Sequence, residues 1–338
     1  MALLFIDSFD HYNNGTDLDL KWDSSTVIDS VLTAGGRFGG GCAELDGSSD
    51  GLRYALSDET TVILAGAVRM DRVNDAMDSG SVLMTFVEAG VTTNIAIGNE
   101  FGKCVVKRGT ETGTELGRSS DVVFRTATWH FIEARVTLSN TVGVVVVNVD
   151  GVEVINLTNQ DTINGGAGVI DLIGYKTLSS IDTRWDDIYI KNDSTFLGDS
   201  RIDVLMPDGA GNYSETGTQV GSANRHENVD EQYPDDDTTY NQSTAANQRD
   251  TFTMDNLAAI TTQTIHGVQQ FNWAKHDGTA TNHRTKLRIS STDYDGASQA
   301  LASTYDWYLE MWTQDPNAGP GAWTESVING MESGYESL

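Results

Sequence analysis

Proline is nearly absent from this chain. There are 4 in 338 residues, and all of them (Pro207, Pro234, Pro316 and Pro320) lie in the second part. That excludes a collagen-like or proline-rich linker chain and leaves the first 200 or so residues without a proline to interrupt a strand. Cysteine is scarcer still, at two: Cys42 and Cys104. Two cysteines make no disulfide framework, so the expectation is two small buried side chains within strands. Basic residues number only 21 against 49 acidic ones, a formal net charge of −28. Phosphate backbones and anionic membrane surfaces repel such a chain, so nucleic acid is not an expected partner, nor is lipid. No apolar run approaches the ~20 residues of a membrane-spanning helix. The opening MALLFIDSFD has no basic region and meets Asp7 and Asp10 early, so a secretory leader is not expected either. Together these absences predict a chain folded in a cytoplasm without membrane insertion.

What the sequence does have is strand periodicity. Residues 129–155, WHFIEARVTLSNTVGVVVVNVDGVEVI, read as three consecutive antiparallel strands. Ile132, Ala134, Val136 and Leu138 alternate with Glu133, Arg135 and Thr137, the period of two of a strand with one wet face. Asp150-Gly151 supplies a two-residue turn, since both central positions of a type I′ turn need φ > 0. Residues 3–9, 61–70, 82–87, 93–98, 104–107, 169–175 and 184–191 read as further strands, with 34 glycines available for tight turns. Residues 10–21 read as loop. Short strands at this spacing are the signature of a β-sandwich or jelly roll. The character changes near residue 198, beyond which lie all the prolines and four of the seven tryptophans. The fold class expected is all-β: a jelly-roll sandwich over residues 1–198, then a smaller β-rich domain over 199–338. In the second domain, residues 209–248 read as a long acidic exposed loop, and residues 258–274, 285–290 and 307–312 as strands. One short helix is expected near the C-terminus, capped by Thr324, with Val327, Ile328 and Met331 on its apolar face and Gly334 at its end.

The candidate chemistry is sparse. Asp186 and Asp187 are adjacent on a strand and so face opposite ways; one is expected to bond backbone or cap a turn, with a calcium ligand as the other reading. The run Asp230, Glu231, Asp235, Asp236, Asp237 has the oxygen ligands a hard cation needs, but not the spacing of an EF-hand loop. It is either a solvated loop, or a calcium or inter-subunit contact through Asp235, Asp236 and Asp237. His226, His266, His276 and His283 show no zinc spacing. The glycine-rich GGRFGGG (residues 35–41) lacks the lysine and helix of a phosphate loop and reads as a flexible turn. A glycosidase on a sandwich needs two carboxylates across a cleft, and neither E-x-D-x-x-E nor E-x-D-x-E occurs; no G-x-S-x-G elbow occurs either. The expectation is therefore not an enzyme. Sugar-binding proteins stack rings on Tyr and Trp, which makes Tyr12, Tyr54, Tyr175 and Trp185 the glycan-contact candidates.

The segments FDHY (9–12), Lys21-Trp22, WHFIEARV (129–136), VNVDG (147–151), WDDIYI (185–190) and LGD (197–199) carry a resemblance. The chain resembles the concanavalin A-like lectin/glucanase, or laminin G-like, jelly-roll modules of tailed-bacteriophage structural proteins. The second half is similar to their usual C-terminal partner in RIDVLMPDGAG, DEQYPDDDTTY and DPNAGPGAWTESVINGMESGY. The resemblance implies a structural protein on the virion exterior, as a tail or adsorption component or a capsid-surface decoration. Such a protein would fold in the host cytoplasm, form a homo-oligomer and contact other virion proteins. A host-glycan-binding lectin module, calcium-assisted, is the alternative, and a divergent glycoside hydrolase or lyase ranks third.

Overall fold

A computed structural model describes residues 2–13, 15–23, 30–46, 51–77, 81–176, 181–258, 263–278, 280–319 and 321–338. The chain divides into two compact units, Met1–Ile202 and Asp203–Leu338. The boundary expected after residue 198 thus falls four residues further on. Residues 198–202 stay with unit 1 because that unit holds them: the Gly198 N–H donates to Glu133 Oε1 (2.8 Å), Arg37 grips Asp199, and the Ile202 N–H donates to Asp187 Oδ1 (2.8 Å).

Among the described residues, unit 1 is β apart from one short α-helix. Its strands are β1 (Leu3–Asp7), β2 (Ser30–Leu32), β3 (Cys42–Leu45), β4 (Gly51–Glu59), β5 (Thr61–Met70), β6 (Val82–Glu88), β7 (Thr92–Glu100), β8 (Lys103–Arg108), β9 (Thr114–Arg118), β10 (Trp129–Thr137), β11 (Gly143–Val149), β12 (Val152–Gln160), β13 (Ile170–Lys176) and β14 (Thr183–Lys191). One sheet runs β12-β11-β10-β5-β14-β3-β2, with β1 also on β14; the other runs β4-β13-β6-β7-β8-β9. All pairings are antiparallel. The central triple strand forms as its alternation predicts. Ile132 to Thr137 pair with Val149 to Val144, and Asp150 (φ 51°) and Gly151 (φ 76°) both take the left-handed backbone of a type I′ turn. The two sheets face each other across an apolar core, and the Tyr175 hydroxyl of one donates to the Ala65 carbonyl of the other (2.6 Å). Cys42 and Cys104 are free and buried, and burial pushes each thiol up to about 12.

One expectation for this unit fails. Residues 10–21 are not all loop, since Gly15–Lys21 form α1. Leu18 and Lys21 are the helix's buried residues, and the Lys21 ammonium lies 3.3 Å from the Asp7 carboxylate. Its apolar content is too short to register as a periodicity.

Unit 2 holds β15 (Pro207–Ser214), β16 (Thr218–Val220), β17 (Tyr240–Gln242), β18 (Arg249–Met254), β19 (Val268–Ala274), β20 (Asn282–Ile289), β21 (Thr292–Asp295), β22 (Gln299–Ala300), β23 (Asp306–Trp312) and β24 (Glu332–Ser337). Its main sheet runs β15-β18-β24-β20-β21 with β22 on β20, and β16-β17 and β19-β23 form separate two-stranded ribbons. Leu287, Ile289, Trp323, Ile328 and Met331 make a core cluster. The expected loop at 209–248 contains most of β15, plus β16, β17 and a 3-10 turn at Arg225–Asn228. In β15 small and polar residues conceal the alternation. Of the strand expected over 258–274, Val268–Ala274 forms, and residues 259–262 lie outside the described residues. Thr324 does cap a helix, accepting the Val327 N–H (3.3 Å), but α2 ends at Ile328. Gly334 lies inside β24 instead, where a Cβ would fall 2.0 Å from the Asp250 carbonyl oxygen. Close strand packing, rather than a helix end, requires that glycine. Among the described residues, no helix is long and apolar enough to cross a membrane.

Candidate functional site

The outer face of the second sheet of unit 1 carries one lateral row of residues. Pairing aligns Lys107 (β8) with Ala96 (β7), Ala96 with Thr85 (β6), Thr85 with Gly174 (β13), and Gly174 with Arg53 (β4). These residues alternate with Val106, Ile95, Ile97, Met84, Phe86, Ile173, Tyr175 and Leu52, all buried in the sandwich, so they point the other way. The middle of the row is small, and it has to be: a Cβ at Gly174 would lie 2.8 Å from Thr85 Oγ1. Four inter-strand steps put roughly 19 Å between the two ends.

The ends are cationic. Lys176, two residues beyond Gly174 on the same face, joins Arg53. Burial pushes the Lys176 ammonium below its ordinary value, Glu111 opposes this, and nearby Arg53 adds to it. Lys107 Nζ donates to the Glu111 carbonyl (2.5 Å). Among the described residues, Arg53, Lys107 and Lys176 form no salt bridge. Arg118 at the neighbouring edge differs, being matched by Glu115 and Glu100. Within the row Thr85 is partly exposed, Gly174 is buried, and Ala96 is fully buried against Met77, Val82 and Val105, so the cationic ends are its accessible part. Glu111 acts on Lys176 and Glu115 on Lys107 without closing a salt bridge, in a chain of net charge −28.

A second constellation sits where β14 changes partners. Thr183, Arg184 and Trp185 pair with β3, and Ile188 to Lys191 pair with β1, so a gap opens beside Asp186 and Asp187. On the other side, Asp186 pairs with Ala67 and Tyr189 with Ala65, a bulge that leaves Asp187 at φ 50°. This bulge corrects the expectation that the two carboxylates act apart. Asp186 Oδ1 accepts the Asp187 N–H (2.8 Å), and its Oδ2 accepts the Arg37 N–H (2.6 Å). Asp187 Oδ1 accepts the Ile202 N–H, whereas its buried Oδ2 has no hydrogen-bond partner and lies 3.8 Å from the Arg37 guanidinium. Burial and the neighbouring carboxylate hold Asp186 well above the usual carboxylate range, and burial does the same to Asp187.

GGRFGGG forms the expected turn, with the Gly39 N–H donating to the Gly36 carbonyl (3.3 Å), and three of its glycines pack closely at this gap. A Cβ at Gly36 would stand 2.1 Å from the Gly41 carbonyl oxygen, one at Gly40 1.9 Å from Asp10 Oδ1, and one at Gly41 2.3 Å from the Phe9 carbonyl oxygen. Only glycine allows that approach. The run of glycines signals close backbone packing as readily as it signals flexibility, and the sequence contains nothing to distinguish the two.

The aromatic candidates do converge, but inside the protein. Tyr12, Tyr175 and Trp185 are 0% exposed. Tyr54 is half-buried against Phe5 (4.4 Å between centroids), Trp22 packs edge-on to Tyr54 and Tyr175, and Tyr175 packs on Trp185 (4.6 Å). Tyr12, Tyr175 and Trp185 are core residues with no ring face for a sugar, and Tyr54 is partly exposed at their margin. The metal candidates of unit 2 are likewise directed to separate protein partners. Asp235 Oδ2 accepts from Thr239 Oγ1 (2.8 Å), Asp236 Oδ1 from Trp273 Nε1 (2.9 Å), and Asp237 Oδ1 pairs with Lys275 Nζ (2.7 Å). The run clamps its own loop onto the β19-β23 ribbon. Among the described residues, no group of three His, Cys, Asp or Glu side chains is arranged to hold a metal ion.

No family model matches the chain, and no curated protein matches it. Solved structures do resemble it. An endo-β-1,4-glucuronan lyase from the fungus Trichoderma reesei covers 57% of this chain and 96% of its own, at 9% identity and a TM-score of 0.42. The alginate lyase Aly36B covers 55% and 96%, at 11% identity and 0.36. Domain 4 of AbnA, an extracellular arabinanase from Geobacillus stearothermophilus in complex with arabinotriose, covers 55% and 93%, at 16% identity and 0.35. These are distant likenesses of fold. The expectation that the chain is not an enzyme does not stand: two of the three structures are polysaccharide lyases, a likeness of fold that assigns this chain no activity. The missing acid strand excludes one hydrolase arrangement only, and an elimination needs a positioned base rather than a pair of carboxylates.

Proposed function

We propose that unit 1 is a carbohydrate-binding module whose ligand is an extended, negatively charged glycan lying along the outer face of the second sheet. The observation that carries this reading is the row Lys107–Ala96–Thr85–Gly174–Arg53, with Lys176 beside it. Cations that close no salt bridge, at both ends of a row of small residues, suit a polymer with repeated acidic groups, which makes charge-assisted hydrogen bonds at intervals. Binding of the full-length protein to a polyuronate such as alginate, compared with a neutral arabinan in calorimetry, tests the reading. Binding of the acidic polymer with little binding of the neutral one is expected. Equal binding of both, or none, would overturn it. Absorbance of unsaturated products in the same mixtures reports whether bound polymer is also cleaved.

A second element of the proposal is calcium at Asp186 and Asp187. What favours it is the buried Asp187 Oδ2 without a hydrogen-bond donor, next to a carboxylate that repels it. Asp187 Oδ2 is the one carboxylate oxygen of the pair without an N–H donor, so carbonyl oxygens and water would have to supply the other ligands of a hard cation. The ion would supply structural charge neutralisation at the edge of β14, and Arg37 does part of that work without it. Calcium titration of wild type and Asp187→Asn by calorimetry tests this, with binding expected in wild type only.

The virion-exterior placement, with homo-oligomeric and virion partners, is likewise proposed. It is supported by the resemblance in 9–12, 129–136 and 185–199. Gold-labelled antibody on intact phage particles tests it, and absence from the particle would overturn it.

A further inference from the structure

Asp7 of β1 and Lys21 of α1 form an ion pair whose side chains are 0% and 1% exposed, with Nζ 3.3 Å from Oδ2. The surroundings are aromatic. Phe5 and Tyr12 lie 5.2 and 5.7 Å from Nζ, and Trp22 packs on Phe5. Each carboxylate oxygen is already bonded: Oδ2 accepts from the Tyr12 hydroxyl (2.6 Å) and Trp22 Nε1 (2.9 Å), and Oδ1 accepts the Phe9 N–H (2.9 Å). Those three donors polarise Cγ as an oxyanion hole polarises an acyl carbon. On its other side, Lys21 Nζ meets His11 Nε2 at 3.3 Å.

We propose that Lys21 Nζ and Asp7 Cγ condense into an intramolecular amide bond, with His11 as the proton acceptor. The arrangement has every part that such a step requires: a nucleophile, an electrophile, a base and oxyanion donors. Burial pushes the Lys21 ammonium below its ordinary value. Although burial also acts against the Asp7 carboxylate, Lys21, His11, the Tyr12 hydroxyl and the Phe9 N–H together hold that carboxyl below its ordinary value. One proton passed from ammonium to carboxylate therefore gives the reactive amine and acid as the minor form of the pair. Burial, and then the Lys21 charge, push His11 down to about 3, which keeps its imidazole neutral and makes it a transient relay between nitrogen and oxygen rather than a resting base. The amine adds to Cγ, and the oxyanion that forms is held by Tyr12, Trp22 and the Phe9 N–H. His11 takes the remaining proton from nitrogen and returns it to the departing oxygen, which leaves as water. An ammonium and a carboxylate become one amide and one water, with no oxidant or other reactant. The product replaces a dry ion pair by a neutral group in a site lined by aromatic rings. It also ties α1 covalently to β1 and is independent of any ligand on the second sheet.

Mass spectrometry of the full-length protein after denaturation tests the proposal. The intact mass is expected to fall short of the sequence mass by one water. Lys21 is the first basic residue of the chain and Arg37 the next. Trypsin should therefore yield one uncut fragment spanning residues 1–37, also lacking one water, with fragment ions joining residues 7 and 21. Cyclisation of an aspartate elsewhere would lose the same mass but leave the bond after Lys21 cleavable. Lys21→Met should restore full mass for its sequence, and His11→Ala should slow the loss of water. Full intact mass with clean cleavage after Lys21 would overturn the proposal, and this wild-type result decides it even where Lys21→Met fails to fold.

Discussion

Arg53 and Lys107 stand at opposite ends of one lateral row of strands, with Gly174, Thr85 and Ala96 between them and no salt bridge to either among the described residues. If the row binds a polyanion, reversing either charge matters more than removing it. Arg53→Glu and Lys107→Glu should each weaken polyuronate binding at least tenfold, about 1.4 kcal/mol. The melting temperature should change little, since neither side chain is in a core. Calorimetry paired with thermal melts checks both.

Gly174→Val tests the floor of the row by shape. The added side chain meets Thr85 Oγ1 and raises the centre of the row. Binding should weaken while Arg53 and Lys107 keep their charge, which separates shape from electrostatics. An unchanged affinity would place the ligand elsewhere.

The raised pair at β14 sets a pH dependence. Asp186 and Asp187 are pushed up to about 8 and about 7 from an ordinary 3.8. The folded state therefore holds more protons than the unfolded one between those limits, so stability falls as pH rises through that window. Their contribution is fully present below about pH 4 and lost above about pH 8. In chelator-containing buffer, the unit 1 transition should move to higher temperature on going from pH 8 to pH 5.5, and Asp186→Asn should flatten that slope. A slope equal to wild type would show that the pair does not titrate there.

Unit 2 depends on a different buried carboxylate. Asp250 is 0% exposed and accepts from the Glu215 N–H (2.8 Å), the Thr216 N–H (3.2 Å), Arg225 Nη1 (3.3 Å) and the Tyr335 hydroxyl (3.3 Å). Asp250→Ala strands all of these donors and leaves Arg225 without its anion. A loss of about 3–5 kcal/mol is expected in urea unfolding of unit 2, with the unit 1 transition unmoved.

The acidic loop should loosen when its clamp is cut. Asp236→Ala removes the acceptor of Trp273 Nε1, worth about 1 kcal/mol. Limited proteolysis within residues 230–239 should accelerate, and calcium should not reverse it.

The strands of unit 1 were legible because alternation and turn chemistry coincide, as in residues 129–155. The sites were not, and for identifiable reasons. Tyr12, Tyr54, Tyr175 and Trp185 look alike in sequence whether they face solvent or core, and pairing between distant strands decides which. Arg53 and Lys107 are 54 residues apart in sequence and fall in one row only through four successive strand pairings. Strict alternation sets Asp186 and Asp187 on opposite faces, and a bulge, which leaves no mark in composition, brings both beside Arg37. The acidic run at 235–237 was conspicuous in sequence, yet its partners, Trp273 and Lys275, lie well outside it.

The three cations of the second sheet also sit in a strongly negative chain, and that contrast governs the kinetics of capture. A polyanion approaching from a distance meets net repulsion, and it meets attraction only within reach of Arg53, Lys107 and Lys176. Salt screens the distant charges first, because beyond a Debye length, about 10 Å at 0.1 M, little field survives. Adding salt from a very low concentration should therefore speed association before higher salt weakens the contacts themselves. Ordinary electrostatic steering slows with every addition of salt; here the rate should pass through a maximum, and the protein would capture its polymer fastest at moderate ionic strength.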